Sequence, residues 1–193
     1  MRIALFFGSF NPVHTGHLIL ADHIALSGLV DKVWFVVSPQ SPFKSEKDLA
    51  HEHDRYEMVR LAIYDNPRLG LSDVEFHMPK PSYTIDTMLR LSEQFPKHTF
   101  SIIMGEDNLA GLPKWKNYKA ILEYYPILVY PRLDAKVAVP AEIANHPGIV
   151  ILDAPQLLVS ASFVRARIKN SLSLSYLVPQ SVEAYIEAKS LFR

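Results

Sequence analysis

The sequence predicts an α/β fold in which a single domain carries a doubly wound, mostly parallel sheet. Two observations predict it. Short apolar runs alternate with segments of helical periodicity along the chain, and the connections between them are short. Strands that alternate with helices form βαβ units with parallel strands. The length of 193 residues and the hydrophobic content of 49% suit one domain with a substantial core.

Apolar, β-branched runs predict the strands, and a spacing of three to four residues between apolar positions predicts the helices. Strands are expected over residues 3–7, 32–37, 69–76, 99–104, 127–130 and 149–152. Helices are expected over residues 15–29, 51–64, 83–95, 116–124, 160–169 and 179–191, with a short one from Glu106. Residues 38–47 form a predicted polar loop, and 131–147 a predicted surface excursion.

The composition restricts the class of protein. Lysine plus arginine and aspartate plus glutamate both number 20, which argues against a broad nucleic-acid surface. The absence of cysteine excludes disulfides and thiolate metal sites. The N-terminal apolar run is too short for a secretory segment or a membrane span. We expect a soluble cytoplasmic protein without membrane partners, and the sequence is compatible with either a monomer or a homo-oligomer.

The stretch FGSFNPVHTGH at residues 7–17 follows the first strand and begins the first helix. The spacing of His14 and His17 places both imidazoles on one face of that helix. A helix N-terminus suits anions, and Gly8 and Gly16 allow a ligand close to the backbone. The glycine spacing is neither a dinucleotide-binding nor a Walker A pattern. The stretch therefore predicts a polyphosphate site. The alternative is that the two histidines only cap the helix. A zinc site would need at least one further ligand, and the spacing offers none.

A second candidate anion site lies near the end of the chain, in the run SASFVR. Ser160 is a natural N-cap, and Ser162 and Arg165 follow within the first turns of the same helix. Two hydroxyls and a guanidinium suit phosphate, although an ordinary capped helix with a surface arginine fits the same pattern. By itself the run favours an ordinary capped helix, and only its combination with the histidine loop favours a functional role.

Three further positions are weaker candidates. Asp107 follows Gly105 at a predicted strand end, where a carboxylate either holds ribose hydroxyls or caps a helix. Trp115 can stack on a flat ring or simply lie in the core. Lys44 is either a phosphate contact or a solvated loop lysine. The five histidines that show no pattern are interpreted as structural or surface residues: His51, His53, His77, His98 and His146.

Three motifs together, GSFNPVHTGH, GEDNLAGLPKWKNY and SASFVR, resemble the nucleotidyltransferases of the HxGH superfamily, and within it the bacterial nicotinate-nucleotide adenylyltransferases. The resemblance covers the chain from residue 1 to about residue 193. It implies a Rossmann-like nucleotidyltransferase fold for a single domain, residues 1–193. It also implies the transfer of the adenylyl group of ATP to nicotinate mononucleotide, giving deamido-NAD and pyrophosphate. Magnesium is expected with ATP, and no protein metal site is expected.

The resemblance also implies roles for individual residues. His14 and His17 would contact the ATP phosphates, with His17 stabilising the transition state and Lys44 near the reacting phosphates. The remaining ATP contacts would come from Gly8, Ser9, Phe10, Gly16, Gly105, Asp107, Ser160, Ser162 and Arg165. Nicotinate mononucleotide would be held by Thr84, Trp115, Lys116 and Arg132.

Two positions depart from the commonest pattern of the family. Asn11 stands where aspartate is frequent, and Phe43 stands where a histidine often precedes Lys44. Three alternatives stay open at this point. One is an adenylyltransferase acting on nicotinamide mononucleotide or another small phosphate acceptor. The second is a non-catalytic ATP-binding module, and the third is a fragment of a class I tRNA synthetase.

Overall fold

A computed structural model describes residues 1–40, 49–132 and 139–193, and its centre is one six-stranded parallel sheet. The strand order is β3-β2-β1-β4-β5-β6, and each neighbouring pair is parallel. The strands are β1 Arg2–Gly8, β2 Lys32–Val37, β3 Leu69–Ser72, β4 Thr99–Gly105, β5 Ile127–Tyr130 and β6 Ile149–Ile151. The direction of strand progression reverses between β1 and β4, so the doubly wound parallel sheet is confirmed.

Helices cover both faces of the sheet. Alternate residues of β1 point to opposite faces, and each set packs against the helices on its own side. Ala4 and Phe6 lie in one core, and Ile3 and Leu5 lie in the other. The first core is completed by α1 Thr15–Leu26, α2 Glu52–Ala62, α7 Ala161–Lys169 and α8 Gln180–Ala188. The second is completed by α3 Thr84–Gln94, α4 Glu106–Leu109, α5 Tyr118–Tyr124 and α6 Ala141–Ala144.

Several predicted elements are longer than the observed ones, and for two of them the structure gives a clear physical reason. The third strand was expected to reach Phe76 but ends at Ser72, and Val74–His77 is a turn of 3-10 helix. The turn buries the carboxyl group of Glu75, which accepts hydrogen bonds there instead of lying along a strand. The first helix was expected to reach Leu29 but ends at Leu26, because Gly28 adopts a φ of 78°, which a right-handed helix does not allow.

Other predicted boundaries differ by one to three residues at helix ends, where assignments vary. The expected surface excursion contains α6 and the described residues around it. No helix in the described parts of the chain is both long enough and apolar enough to cross a membrane. The carboxyl ends of β1 and β4 lie side by side where the strand order reverses, so the loops that follow them share one edge of the sheet.

Candidate active site

The loop after β1 is shaped by an aromatic ring packed onto a glycine. A Cβ atom on Gly8 would lie 2.8 Å from the ring of Phe10. Phe10 adopts a φ of 44° and is almost fully buried, with its ring centroid 5.1 Å from those of Phe35 and His17. A left-handed phenylalanine is unfavourable by itself, so burial of the ring holds this backbone conformation. The loop thereby places the start of α1 beside the end of β1.

His14 is the N-cap residue of α1, and His17 lies one turn further on. The backbone N–H of His14 donates to Nδ1 of His17 at 3.3 Å, and the two rings stack with centroids 3.7 Å apart. A neutral His17 therefore carries its hydrogen on Nε2, where it is a donor. Burial, and secondarily the positive charge of Arg132, lower the pKa of His14 to about 4, so this imidazole is neutral at neutral pH.

The first cavity, of about 390 Å³, lies in front of these two rings. Several residues of the predicted nucleotide site line it: His14, Gly16, His17, Asp107, Arg132 and Ser160. A cavity of this size, with convergent polar groups at the carboxyl edge of a parallel sheet, has the features of a nucleotide-binding site.

The N-terminal end of α7 joins this cavity from the far end of the chain. Ser160 caps α7, since its Oγ accepts from the backbone N–H of Phe163 at 3.2 Å and lies 3.0 Å from the Oγ of Ser162. Arg165 donates from Nη1 to the carbonyl of Asn11 at 2.8 Å. This bond joins α7 to the same loop that carries the histidines, so the two ends of the sequence meet at one site.

Asp107 and Arg132 close the opposite side of the first cavity as an ion pair. Nη1 of Arg132 donates to a carboxylate oxygen of Asp107 at 3.0 Å, and both side chains are partly exposed. Sequence reasoning assigned these residues to different substrates. In the structure both residues line the first cavity, so a single ligand bound there could contact both.

The second cavity, of about 240 Å³, adjoins the first and shares Phe6 and Tyr130 as a common wall. Predicted site residues on its wall are Gly8, Ser9, Thr84, Gly105, Trp115 and Lys116. Nζ of Lys116 pairs with Asp86 at 2.7 Å. The side chain of Trp115 offers a flat apolar surface in a cavity that is also lined by Phe7, Met104 and Ile121 and by the hydroxyl residues Ser82 and Thr84, an arrangement suited to a heteroaromatic ring.

Some predicted residues do not line either of these cavities. Lys44 and Phe43 lie outside the described residues. The ring of Phe10 supports the loop from the core side. Ser162 contacts Ser160 on the wall of the first cavity, and Arg165 contacts the carbonyl of Asn11 in the loop that leads to His14. Among the histidines without a pattern, His51 and His53 stack on each other at the start of α2.

Sequence reasoning missed two buried charged residues beside the site. Arg55 is 1% exposed and donates to the backbone carbonyls of Ser9, Ser38, Pro39 and Ala50. The sequence did indicate this burial, because the spacing of Arg55, Met58 and Val59 places the arginine on the apolar face of α2.

Glu75 is 2% exposed and is one of the residues that line the second cavity. Its position inside an apolar run was the only hint of burial, and the run was interpreted as a strand. Tyr130 and residues 155–159, which line the first cavity, carried no signal in the sequence.

No group of three or more histidine, aspartate or glutamate side chains forms a potential metal site within residues 1–40, 49–132 and 139–193. A divalent metal held only by protein ligands therefore does not fit this part of the molecule. The oxygen-rich partner that such a metal needs would have to come from a bound ligand.

The cytidylyltransferase-like family model matches residues 5–167. A relative from Cytophaga hutchinsonii, named "Probable nicotinate-nucleotide adenylyltransferase", is 45% identical over 192 residues, which cover 100% of this chain and 98% of the relative. A relative of the same name from Flavobacterium psychrophilum is 44% identical, with 100% of both chains covered.

The fold has a match among solved structures. The nicotinic acid mononucleotide adenylyltransferase of Plasmodium falciparum complexed with NaAD superposes with a TM-score of 0.82 at 20% identity, covering 99% of this chain and 97% of that one. Nucleotidyltransferases generally use a divalent metal. From the full-length identity to its relatives, the chain belongs to the cytidylyltransferase-like family and, within it, to the nicotinate-nucleotide adenylyltransferases.

Proposed function

We propose that this protein transfers the adenylyl group of ATP to nicotinate mononucleotide, giving deamido-NAD and pyrophosphate. One observation carries the proposal. Two adjoining cavities meet at Phe6 and Tyr130, one with the imidazoles of His14 and His17 and the other with the indole of Trp115. A triphosphate in the first and a heteroaromatic mononucleotide in the second would bring two phosphates together at the shared wall.

The chemistry requires positioning more than proton transfer. A phosphate oxygen of the mononucleotide attacks the α-phosphorus of ATP, the bond from that phosphorus to the bridging oxygen breaks, and pyrophosphate leaves. The attacking oxygen is already anionic near neutral pH, so no base is needed to create it. Holding both phosphates in line and stabilising the charge that develops supply the rate enhancement.

His17 and Arg165 are the residues we assign to that charge. The Nε2–H of a neutral His17 can donate to a phosphate oxygen, because its Nδ1 is engaged by the backbone. Arg165 brings a permanent positive charge to the loop that holds the histidine. Burial keeps His14 neutral, and a neutral imidazole can donate a hydrogen bond to a phosphate oxygen. Without a positive charge it stabilises the bound ATP less in the ground state, so less binding energy is lost before the transition state. Ser160, Ser162 and Lys44 complete the proposed triphosphate contacts.

The ring end of the acceptor belongs in the second cavity. Trp115 would stack on the pyridine ring, and the N-terminus of α3 at Thr84 would face its carboxylate. We assign Arg132 to an anionic group of either substrate near the first cavity, since it pairs with Asp107 there. Gly8, Ser9, Phe10, Gly16 and Gly105 would contribute backbone contacts.

Magnesium enters this proposal only as the complex of ATP. Magnesium keeps several waters and prefers phosphate oxygens with one or two carboxylates, so the phosphates of ATP and these waters would supply most of its ligands. The proposal includes one catalytic domain over residues 1–193 in the cytoplasm, and it holds for a monomer or a homo-oligomer.

A panel of acceptors tests the function. The purified protein is incubated with ATP, magnesium and nicotinate mononucleotide, nicotinamide mononucleotide or phosphopantetheine, and pyrophosphate release is measured. We expect the highest kcat/KM with nicotinate mononucleotide. A higher value for the amide would reassign the acceptor, and ATP binding without turnover of any acceptor would reduce the protein to a nucleotide-binding module.

A further inference from the structure

The wall of the second cavity contains a buried carboxyl group that the proposed chemistry does not use. Glu75 is 2% exposed and lies on the 3-10 turn that follows β3. Ser82 donates from its hydroxyl to one carboxylate oxygen at 2.6 Å, and Thr87 donates to the other at 2.9 Å. A buried carboxylate is costly unless such donors satisfy it, so the three side chains form one unit.

The two donors belong to the segment that shapes the cavity. Ser82 directly precedes α3, whose N-cap residue is Tyr83. Thr87 lies one turn into the helix, with its Oγ1 3.3 Å from the carbonyl oxygen of Tyr83. Ser82, Tyr83 and Thr84 line the second cavity. Thr87 is fully buried behind them. The carboxyl group therefore holds the first turn of α3 in place at the wall of the second cavity.

No cation balances this carboxyl group within the described residues, since the ion pairs found there do not include it. Burial raises its pKa, and hydroxyl donors from Ser82, Thr87 and Ser38 lower it. The charged groups of neighbouring elements are Arg55, Asp86, Arg90, Lys114 and Lys116, and those of its own turn are Asp73 and His77. Arg55 is engaged by backbone carbonyls, Lys116 pairs with Asp86, and His77 lies 3.4 Å from Asp73.

We propose that Glu75 is a positioning residue for the acceptor: through Ser82 and Thr87 it fixes the first turn of α3, and its negative charge, when present, weakens the binding of an anionic ring. The inference rests on the proposed function, because the second cavity is taken as the acceptor site. Deprotonation adds a charge in a low-dielectric wall next to an acidic ligand, so an acid acceptor binds best when the carboxyl group is protonated.

Thr87→Val is the sharpest test, because it removes one donor to Glu75 with little change in volume and without touching the cavity. At the low-pH end of a pH profile, where the carboxyl group is protonated in both proteins, we expect the KM of nicotinate mononucleotide to rise about tenfold, the scale of one hydrogen bond. The kcat and the KM of ATP should stay within about twofold. Thr87→Ser, which keeps the hydroxyl, should restore the wild-type KM. If Thr87 had only a structural role, Thr87→Val would lower the melting temperature and leave the KM of nicotinate mononucleotide unchanged.

Glu75→Gln tests the charge. The wild-type KM of nicotinate mononucleotide should fall, relative to that of the variant, as the pH is lowered through the raised pKa of Glu75. Nicotinamide mononucleotide, whose ring group is neutral, should show a smaller difference. Glu57→Gln is the matched control, since that carboxylate pairs with Arg60 on the surface of α2, away from both cavities. Identical pH profiles for the wild type and Glu75→Gln overturn the assignment of charge.

Fluorescence of Trp115, measured in a Trp34→Phe background where it is the one tryptophan of the chain, separates this inference from the proposed function because it reports acceptor binding without turnover. If the wild type binds the mononucleotide but releases no pyrophosphate, the function fails and the Kd values of the variants still decide the role of Glu75. Should Glu75→Gln fail to fold, Thr87→Val and Thr87→Ser decide alone. An unchanged acceptor Kd and KM in Thr87→Val overturns the inference.

Discussion

Replacing His14 by asparagine should flatten the loss of stability that the protein shows in mild acid. The folded pKa of His14 is about 4, against an ordinary value of 6.5, because the ring is buried and faces the charge of Arg132. The unfolded chain therefore binds more protons between these two values, and acidification favours unfolding. Above about pH 7.5 the ring is neutral in both states and contributes no pH dependence.

The magnitude follows from the two pKa values. Linkage gives a destabilisation of about 2 kcal/mol at pH 5 relative to pH 8, approaching about 3 kcal/mol below pH 4. Asparagine does not titrate and is a favourable N-cap, so His14→Asn removes the linked proton while keeping the start of α1.

Urea unfolding at pH 8, 6 and 5 measures this effect. The free energy of unfolding of the wild type should fall by about 2 kcal/mol more than that of His14→Asn between pH 8 and pH 5. His77→Asn is the control for loss of an imidazole, because 74% of that side chain is exposed. Parallel profiles for the wild type and His14→Asn would refute the buried, neutral state of this ring.

Four further outcomes are expected. His17→Ala should lower kcat by roughly 10²–10³, as for loss of one transition-state donor, with thermal unfolding as the check on the fold. Arg165→Lys should raise the KM of ATP and lower kcat, because an ammonium cannot reach both the carbonyl of Asn11 and a phosphate; unchanged kinetics would remove Arg165 from the site. Arg55→Met should destabilise the protein by more than about 3 kcal/mol in urea unfolding, since it leaves several buried carbonyls without a donor. Chelation of magnesium should stop pyrophosphate release without shifting the melting temperature, and a shift would indicate a resident metal.

Strand and helix positions could be predicted closely because they depend on local patterns. The apolar run that forms β1 and the spacing along α3 identify their elements without knowledge of the rest of the chain. The end of β3 could not be predicted, since the turn at Glu75 depends on hydroxyls that approach from Ser82 and Thr87. The end of α1 could have been predicted from Gly28, because glycine often ends a helix, but the apolar spacing up to Leu29 favoured a longer helix.

The sequence by itself determined the parallel α/β sheet, the placement of two imidazoles at the start of α1 and the family of the chain. Only the tertiary structure decided that Arg165 meets the carbonyl of Asn11, that Asp107 pairs with Arg132, and that a buried glutamate backs the second cavity. The physical reason is range. Periodicity and capping are properties of neighbouring residues, whereas these contacts exist only once helices pack across the sheet and bring distant segments within hydrogen-bond distance.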